Sequence, residues 1–345
     1  MRAIKTGLVV VAGVLLTSGC HGGSQSSETS AASAPAEVVV ASTPSATVSP
    51  AAPPVAGVTT LDGTAFYQNG QALYSVKGTK PARKVTGADL FQQTVSPDGK
   101  HIAHVSQDGM VFTGLDGTSG RRTVKVAVSY HGDTTQPTYF WTADSKSVLI
   151  ERVDKRKAGG QAEKTTAGTL RISDGTFTAL PKSVQGGLNY RMSGDGKKLV
   201  YQKGCSISTA NVDGSEVRQV PAIGLQSSAA NPSRIEVCYL GPVNYDGTRA
   251  TGVVFRMTDA NNPGGEVPDK LLDLTTGKVL PIDVADEVDA VQFLRGDALL
   301  VRARPKGDGP YTLTLFAADG KKITSRTEPA IPDPNGVINF AGYAE

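Results

Sequence analysis

Residues 94–106 read TVSPDGKHIAHVS, the pattern of a β-strand, a tight turn and a second β-strand. Pro97 presets the backbone for a turn and Gly99 accepts a positive φ, so the turn is centred on Ser96–Lys100. Weaker copies recur at 141–151, 192–202, 243–255 and 293–303. The turn aspartates are Asp98, Asp144, Asp195, Asp246 and Asp297, spaced by 46, 51, 51 and 51 residues. A period this regular predicts a repeat architecture.

A second series of turns lies between these copies. Its glycines are Gly117, Gly175, Gly214, Gly277 and Gly320, and each follows Asp or Thr between two β-rich runs, as in a hairpin. Each repeat therefore has four short strands, and no helical periodicity of useful length is present. Four strands per repeat of about 50 residues predict an all-β fold, a β-propeller of four-stranded blades. One or two β-sandwiches are the alternative, but they would not require turns at a fixed period.

The stretch Ser96–Lys100 followed by HIAHVS resembles the repeat of TolB-type β-propellers, whose consensus is Ser-Pro-Asp-Gly-Lys and a short apolar strand. SGDGKKLVY (193–201) is a second good match, whereas TADSK (142–146) lacks the glycine and NYDGT (244–248) lacks the lysine. The copy at Asp297 departs furthest from the consensus. The resemblance covers the folded region repeat by repeat and implies the propeller part of a TolB-like protein without its α/β domain.

The two ends of the folded region predict how the ring closes. GVINFAGYAE (336–345) aligns with the innermost strand of the preceding repeat but has no partner strands after it. Residues 64–87 offer three strands, with turns at Asn69-Gly70 and Gly78. Pairing these ends would close a six-bladed ring and protect its edges. Alternatively, Asp62-Gly63 is the first turn of that blade, and the last strand is a surplus edge strand.

The N-terminus predicts export and lipid anchoring. Residues 1–19 combine the cationic Arg2 and Lys5 with an apolar run that is too short to span a bilayer, as in a signal peptide. The ending LTSGC (16–20) resembles the bacterial lipobox, which implies that Cys20 carries the lipid; an ordinary cleaved signal is the alternative. Residues 20–55 are rich in Ser, Ala, Pro and Thr and lack aromatic residues, so we expect a disordered tether before a propeller domain at 56–345.

Charge and cysteine content narrow the class of protein further. The formal net charge of +3 falls to +1 when Arg2 and Lys5 leave with the signal, so no nucleic-acid partner is expected. Besides Cys20 the chain has Cys205 and Cys238, an even pair in an oxidising compartment, and we predict a disulfide between adjacent blades. The alternative is that both are buried small hydrophobic residues.

A search for catalytic and metal-binding motifs returns none that is convincing. His101 and His104 lie three apart on a strand and point to opposite faces, so they cannot share a metal. The stretch TDANNPGGE (258–266) lacks the spacing of a calcium loop, and the turn aspartates suffice as caps of their own backbone. We therefore predict no catalytic residues, no metal and no cofactor.

Loop length predicts where a ligand binds. In a propeller, the connections between first and second strands and between third and fourth strands emerge on one face, here the tight-turn face. All long connections fall on the opposite, long-loop face, at 127–137, 153–168, 224–236 and 258–269. Variable loops on a rigid scaffold commonly carry binding sites. The candidate contacts in these loops and beside them are Tyr130, His131, Asp133, Arg152, Lys155, Arg156, Lys157, Asn231, Arg234, Asn261 and Asn262.

Three classes of function fit these features. We expect a monomeric lipoprotein on the outer side of the bacterial cell membrane, whose non-catalytic propeller binds a protein, a peptide or an envelope glycan through the long-loop face. The second class is a propeller enzyme of hydrolase or lyase type, with its site at the central channel. The third, which the TolB resemblance implies, is an accessory or regulatory subunit of a membrane complex. The fold alone does not choose among them.

Overall fold

The computed structural model describes residues 57–345 apart from 70–71, 87–92, 107, 130–138, 157–161, 205, 222, 224–235, 256–269, 281, 308 and 333–337. These residues belong to one unit, Pro53–Glu345. Their regular secondary structure is β, except for two single-turn 3-10 helices at Lys182–Val184 and Arg295–Asp297. The predictions for Cys20, the signal peptide and the tether lie outside the described residues.

The strands form six antiparallel sheets of four strands each, which are the predicted six blades. Blade 1 contains β4 (Thr94–Val95), β5 (His101–Ser106), β6 (Gly109–Gly114) and β7 (Arg122–Val124). Blade 2 contains β8 (Tyr139–Trp141), β9 (Ser147–Arg156), β10 (Ala162–Arg171) and β11 (Phe177–Ala179). Blade 3 contains β12 (Leu188–Met192), β13 (Lys198–Lys203), β14 (Ser206–Asn211) and β15 (Arg218–Gln219). The fold is a six-bladed β-propeller, as the repeat period predicts.

The remaining three blades are built in the same way, but the last combines both ends of the domain. Blade 4 contains β16 (Glu236–Val243), β17 (Arg249–Phe255), β18 (Lys270–Asp273) and β19 (Val279–Leu280). Blade 5 contains β20 (Glu287–Phe293), β21 (Leu299–Arg304), β22 (Thr312–Phe316) and β23 (Lys322–Thr327). Blade 6 contains β24 (Asn339–Ala344), β1 (Thr64–Asn69), β2 (Ala72–Lys77) and β3 (Arg83–Thr86).

Closure of the ring by its two ends is confirmed. The innermost strand β24 pairs antiparallel with β1, from Thr64 opposite Ala344 to Gln68 opposite Asn339. The alternative first turn at Asp62-Gly63 is not used as a hairpin, because the partner of β1 on this side comes from the far end of the chain. A side chain at Gly63 would overlap the Ala344 carbonyl oxygen, at 2.4 Å from the Cβ position, so only glycine fits against the closing strand.

The repeated turns between first and second strands are held by their own side chains. The Ser96 hydroxyl donates to the Asp98 carboxylate (2.6 Å) and accepts from the backbone N–H of His101 (2.9 Å). The same pair of bonds recurs at Thr142 and Asp144, at Ser193 and Asp195, and at Asn244 and Asp246. Each of these four aspartates also accepts from the backbone N–H two residues further on, for example Asp98 from Lys100 (3.1 Å). Their predicted capping role is therefore confirmed.

The fifth copy of the turn differs, because Leu294 stands where the other copies have Ser, Thr or Asn, and its backbone N–H bonds the carbonyl four residues on instead of five. Here Asp297 has a left-handed backbone (φ 60°), and its carboxylate accepts from the backbone N–H of Tyr245 in blade 4 (2.7 Å). Burial of this carboxylate raises the pKa of Asp297. The aspartate that keeps the sequence period thus ties two blades together instead of capping its own turn.

One of the predicted long loops is a hairpin. Strands β9 and β10 are ten residues each and stay paired from Ser147 opposite Arg171 to Arg156 opposite Ala162. The interpretation of residues 153–168 as a loop is therefore wrong, and only 157–161 connect the two strands. The charged residues at 154–157 and the glycines at 159–160 obscured the strand pattern in the sequence.

Apolar side chains fill the spaces between neighbouring blades. Between blades 6 and 1, for example, Phe66 and Leu73 pack with Val95 and Ile102. Between blades 3 and 4, a second cluster is formed around side chains such as Ile207 and Leu272. Middle strands such as β6 and β21 therefore bury both of their faces, whereas outer strands such as β7 and β23 are largely exposed. This difference explains why the sequence shows continuous apolar runs as well as alternation.

A buried cluster of charges joins blade 5 to the composite blade 6. Arg302, only 1% exposed, donates from its Nε to the buried Glu328 carboxylate (3.1 Å) and from Nη1 to Asp289. Glu328 also accepts from the Tyr67 hydroxyl (2.6 Å) across the blade boundary. The Arg302 guanidinium stacks on Tyr311, 3.7 Å from the ring centroid. Burial and the neighbouring carboxylate raise the pKa of Tyr67.

His104 on β5 makes the stability of the protein depend on pH. Its side chain is 5% exposed, and its Nδ1 has no hydrogen-bond partner among the described residues. Burial lowers the pKa of His104 to about 4, below its ordinary 6.5. The unfolded chain therefore takes up this proton first, and stability falls as the pH drops from 6.5 to 4 but is unaffected above 6.5.

We expect His104→Gln to remove this part of the pH dependence. By linkage, the depressed pKa lowers the wild-type free energy of unfolding by about 3 kcal/mol between pH 6.5 and pH 4. Urea denaturation of both proteins at several pH values over this range measures the difference. Parallel pH curves for the two proteins would show that His104 is not protonated on unfolding.

The described residues contain no helix with the length and apolar character needed to span a membrane. Nor does this part of the chain bring together three His, Cys, Asp or Glu side chains in the manner of a metal site.

Candidate binding pocket at the ring axis

A cavity of about 510 Å³ opens at the centre of the tight-turn face. All six blades contribute to it, through the ends of their innermost strands and the turns that follow. We call it the central pocket, and its lining residues are Pro97, Asp98, Trp141, Ala143, Met192, Gly194, Val243, Tyr245, Gln292, Phe293, Leu294, Arg295, Tyr343 and Glu345. Its volume lies within the range of about 300–1,000 Å³ that is usual for ligand pockets.

Each of the repeated turns places the residue at the same position in this pocket, and Asp98 and Leu294 are further contributions from the first and fifth turns. The shared position is the second residue of each turn copy: Pro97, Ala143, Gly194, Tyr245 and Arg295. The first and third residues of the turns are fixed by capping bonds in four of the five copies, as described above. The second position is free of that constraint, and five different residue types occupy it around the axis. The scaffold is thus repeated while the pocket lining is not.

Neighbouring turns are also hydrogen-bonded to one another, which fixes their positions around the mouth of the pocket. The backbone N–H of Asp98 donates to Ser145 Oγ of blade 2 (3.0 Å). The backbone N–H of Asp195 donates to the Tyr245 carbonyl of blade 4 (2.8 Å). With the bond from Tyr245 to Asp297 described above, these contacts link blades 1 to 2, 3 to 4 and 4 to 5. Preorganisation of this kind reduces the entropy lost when a ligand binds.

Aromatic and apolar side chains form the wall. Trp141, the single tryptophan of the chain, donates from its indole nitrogen to Thr94 Oγ1 of blade 1 (3.1 Å). Its ring meets Phe112 edge-on, with 6.2 Å between centroids. Gln292 in turn is held by two bonds of 2.9 Å to the backbone of Tyr343. Rigid aromatic side chains with fixed polar groups are the usual anchors of binding sites.

The charged groups of the central pocket are already engaged within the protein. Burial acts to raise the pKa of Asp98, but bonds from the Ser96 hydroxyl and the Lys100 backbone outweigh it and lower that pKa. The Glu345 carboxylate accepts from the backbone N–H of Arg295 (2.7 Å) and from its guanidinium. The hydrogen bonds to Glu345 raise the pKa of Arg295.

A buried arginine crosses the inner strands directly behind the pocket. Arg191 precedes the pocket residue Met192 and stacks on Phe140 of blade 2, with Cζ 3.1 Å from the ring centroid. It donates to the Leu240 carbonyl of blade 4 (2.5 Å) and to the Tyr239 hydroxyl (3.3 Å). Burial lowers the pKa of Arg191 to about 10. This side chain therefore connects the inner strands of blades 2, 3 and 4.

The strand that carries Arg191 is irregular next to it. The register of β12 shifts between Leu188 and Arg191, and Asn189 adopts a left-handed backbone (φ 52°). The backbone N–H of Asn189 donates to the buried Glu151 carboxylate (2.8 Å), and its side chain bonds Gln202 (2.5 Å). This polar network fixes the bulge and orients the inner strand toward the axis.

None of the ligand contacts predicted from loop length is among the described residues that line the central pocket. Arg152, Lys155 and Arg156 lie on β9, on the part of the hairpin that extends toward the long-loop face. Arg152 pairs with Asp154 (2.9 Å) and stacks on Phe177, 4.2 Å from the ring centroid. The other predicted contacts lie outside the described residues: Tyr130, His131, Asp133, Lys157, Asn231, Arg234, Asn261 and Asn262.

The predicted disulfide is likewise not tested. Cys238 lies on β16, the inner strand of blade 4, but its side chain is outside the described part of the chain, as is Cys205. The pairing stays a prediction.

Sequence reasoning did not find the central pocket. Its signal was present, since the second residue of the turn varies widely whereas the first is Ser, Thr or Asn and the third is Asp in four of the five copies. The single tryptophan also precedes one such turn. That variation gains meaning only when the ring brings the turns together, because they are about 50 residues apart in the chain.

The fold defines the chain as a six-bladed β-propeller, and solved structures with a similar arrangement exist. TolB from Acinetobacter baumannii is 16% identical, with a TM-score of 0.48, over 76% of this chain and 63% of that protein. A putative TolB from Agrobacterium tumefaciens is 13% identical, with a TM-score of 0.46, over 78% of this chain and 90% of that one. Prolyl oligopeptidase B from Galerina marginata is 15% identical, with a TM-score of 0.41, over 79% of this chain and 43% of that one.

Two of these three proteins belong to the family that the turn repeat resembles. The chain spans less than two thirds of the Acinetobacter protein, and at such identities the likeness concerns the fold alone. No protein-family model and no curated protein matches the sequence. The function therefore has to be argued from the pocket itself.

Proposed function

We propose that this protein is a membrane-anchored extracytoplasmic lipoprotein whose non-catalytic propeller binds a peptide segment of a partner in the central pocket. The observation that carries the proposal is the contrast within the turn repeat. Four copies conserve the capping bonds, and every copy contributes a different residue to one aromatic-walled cavity of about 510 Å³. A scaffold that repeats and a lining that does not are typical of recognition on propellers and other repeat proteins.

The lining supports binding over catalysis. Its fourteen residues include no histidine, cysteine, serine or lysine. The bonds that hold Asp98 ionised leave it poorly suited to act as a general acid, which needs a raised pKa. Glu345 is likewise engaged by Arg295.

The path of the N-terminal segment supports a site near the membrane. Residues 57–63, which we call the strap, run across the tight-turn face beside the pocket. The backbone N–H of Val58 donates to the Arg295 carbonyl (3.3 Å), and the Leu61 carbonyl accepts from Arg326 (2.8 Å). The described chain thus begins on the face that holds the pocket, directly after the predicted tether. A flexible chain of its length spans on the order of 30 Å, which favours a partner close to the membrane.

The long-loop face is the second candidate, because β9 and β10 are the longest strands in the described part of the chain. Strands β5, β13 and β21 have six residues each, whereas β9 and β10 have ten. The hairpin carries Lys155 and Arg156, which were predicted as contacts. A partner that bound this face would use the basic hairpin and not the central pocket, and an accessory subunit of a membrane complex fits either face.

We expect Ala143→Tyr to abolish peptide binding while leaving the fold intact. Ala143 is an exposed turn residue that lines the pocket, so a tyrosine there fills the cavity without disturbing the core. The whole protein is used to select binders from a phage-displayed library of twelve-residue peptides. The affinity of each resynthesised binder is measured by titration against Trp141 fluorescence and by calorimetry. Ala143→Tyr should lower the affinity at least tenfold.

Two control variants distinguish binding in the central pocket from binding on the long-loop face. Lys146→Tyr adds the same side chain to the same turn, but outside the pocket lining, and should bind like the wild type. Replacing residues 154–164 by Asn-Gly keeps Val153 opposite Thr165 and removes the hairpin end. If this shortened hairpin loses the peptides and Ala143→Tyr keeps them, the binding face is the long-loop face and the pocket proposal is wrong.

A further inference from the structure

A second cavity adjoins the central pocket and shares part of its lining. This cavity of about 370 Å³ lies beneath the strap, lined by strap residues, Thr64, Lys77, Arg295, Tyr343 and Glu345. We call it the strap pocket. Arg295, Tyr343 and Glu345 line both cavities. The Arg295–Glu345 pair is therefore part of the partition between the axis of the ring and the space under the strap.

The contacts of Glu345 are those of a bound carboxylate. One oxygen accepts from the backbone N–H of Arg295 (2.7 Å), and the other accepts from its guanidinium. A backbone N–H beside a guanidinium N–H forms a two-point cradle, which is a common way for proteins to recognise a carboxylate. The backbone half of this cradle is held in place, since the adjacent carbonyl of Arg295 accepts from Val58 in the strap.

We propose that Glu345 is an internal substitute for an acidic ligand group, and that an aspartate or glutamate of the bound peptide displaces it from Arg295. The inference rests on the proposed function, because it names the chemistry of the ligand at the same pocket. The apolar part of the peptide occupies the central pocket, against Trp141 and Phe293. Its carboxylate binds Arg295, and the chain continues into the strap pocket.

Replacement of the Glu345 carboxylate by a peptide carboxylate costs little free energy. The Arg295 side chain is 64% exposed and that of Glu345 20% exposed, and exposed ion pairs contribute little to stability. The incoming carboxylate remakes both hydrogen bonds, so no buried donor is left unpaired. With Glu345 in place, the strap pocket balances Lys77 and Arg295 against Asp62 and Glu345. When Glu345 moves out, the cavity gains a net positive charge that complements an acidic peptide.

Substitution at both ends of the pair tests the exchange. The binders selected with the whole protein are resynthesised with each Asp or Glu changed singly to Asn or Gln. At least one such change should weaken binding tenfold or more in the wild type. Glu345→Gln, which removes the competing carboxylate but keeps its shape, should tighten the unmodified peptide about threefold or more. Arg295→Gln should remove the preference for the acidic peptide over its amide version.

The outcomes distinguish the two proposals. If peptides bind in the pocket but Glu345→Gln leaves their affinity unchanged or weakens it, the exchange is wrong and the proposed function stands. The same holds if no acidic residue of any binder matters. If no peptide binds at all, or if binding is unaffected by Ala143→Tyr, both proposals fall. A circular dichroism melt of each variant confirms that loss of affinity does not reflect loss of the fold.

Discussion

Replacement of Arg302 by methionine should destabilise the protein by about 3–5 kcal/mol, since it leaves a buried carboxylate without its cation. Glu328 is 6% exposed and would keep only the Tyr67 hydroxyl as a partner among the contacts described for it. The stacking of the guanidinium on Tyr311 is also lost. Equilibrium unfolding in urea, with fluorescence and circular dichroism as probes, measures the effect.

A double variant and a variant of an exposed ion pair show whether the unpaired charge of Glu328 causes the loss of stability. Arg302→Met with Glu328→Gln removes both charges and should recover a large part of the loss. Arg171→Met breaks an ion pair of 3.0 Å whose side chains are 55% and 45% exposed, and it should cost less than about 1 kcal/mol. A loss of less than 1 kcal/mol for Arg302→Met would contradict the argument.

Removal of residues 338–345 should abolish the cooperative unfolding transition of the domain. The deleted segment contains β24, the inner strand of blade 6, whose Tyr343 is 3% exposed and packs in the core between blades 5 and 6. Loss of a buried aromatic side chain alone costs about 3–5 kcal/mol. The deletion also leaves β1 as an unpaired edge at the axis of the ring. Thermal and urea unfolding of the truncated protein test this expectation.

Addition of the missing strand in trans provides the control. A synthetic peptide of residues 336–345 should restore a cooperative transition, because β1 presents the same register to it. A scrambled peptide of the same composition should have no effect. A truncated protein that unfolds cooperatively near the wild-type midpoint would show that closure by β24 is not required for stability.

The fold could be predicted in detail because its signals are local and repeated. Ser96, Asp98 and Gly99 specify a turn through bonds within five residues, and copies of that turn fix the period of the blades. The closing role of 339–344 followed from the same period, as a strand with missing partners. Local rules failed at 153–168, where the pairing of β9 with β10 overrode glycines and charges that read as a loop.

The binding site could not be predicted in the same way. Reasoning from loop length directed attention to the long-loop face, where three of the eleven predicted contacts are described, all on β9. The central pocket is made of short turns, which carry no length signal. Arg295 and Glu345 are 50 residues apart, and their local sequences do not indicate that Arg295 binds the Glu345 carboxylate.

The sequence by itself determined the all-β architecture and the number of blades, because turn chemistry and strand periodicity act between neighbours in the chain. It left two arrangements of the end strands open, and the pairing of β24 with β1 decides between them. Only the tertiary structure decided which turn residues face the axis, that Asp297 bonds a neighbouring blade, and that Arg302 is buried between carboxylates. Those outcomes depend on side chains from different blades meeting in space. The turn at Ser96–Lys100 is thus a structural unit whose second residue, Pro97, is one part of a pocket assembled by the whole ring.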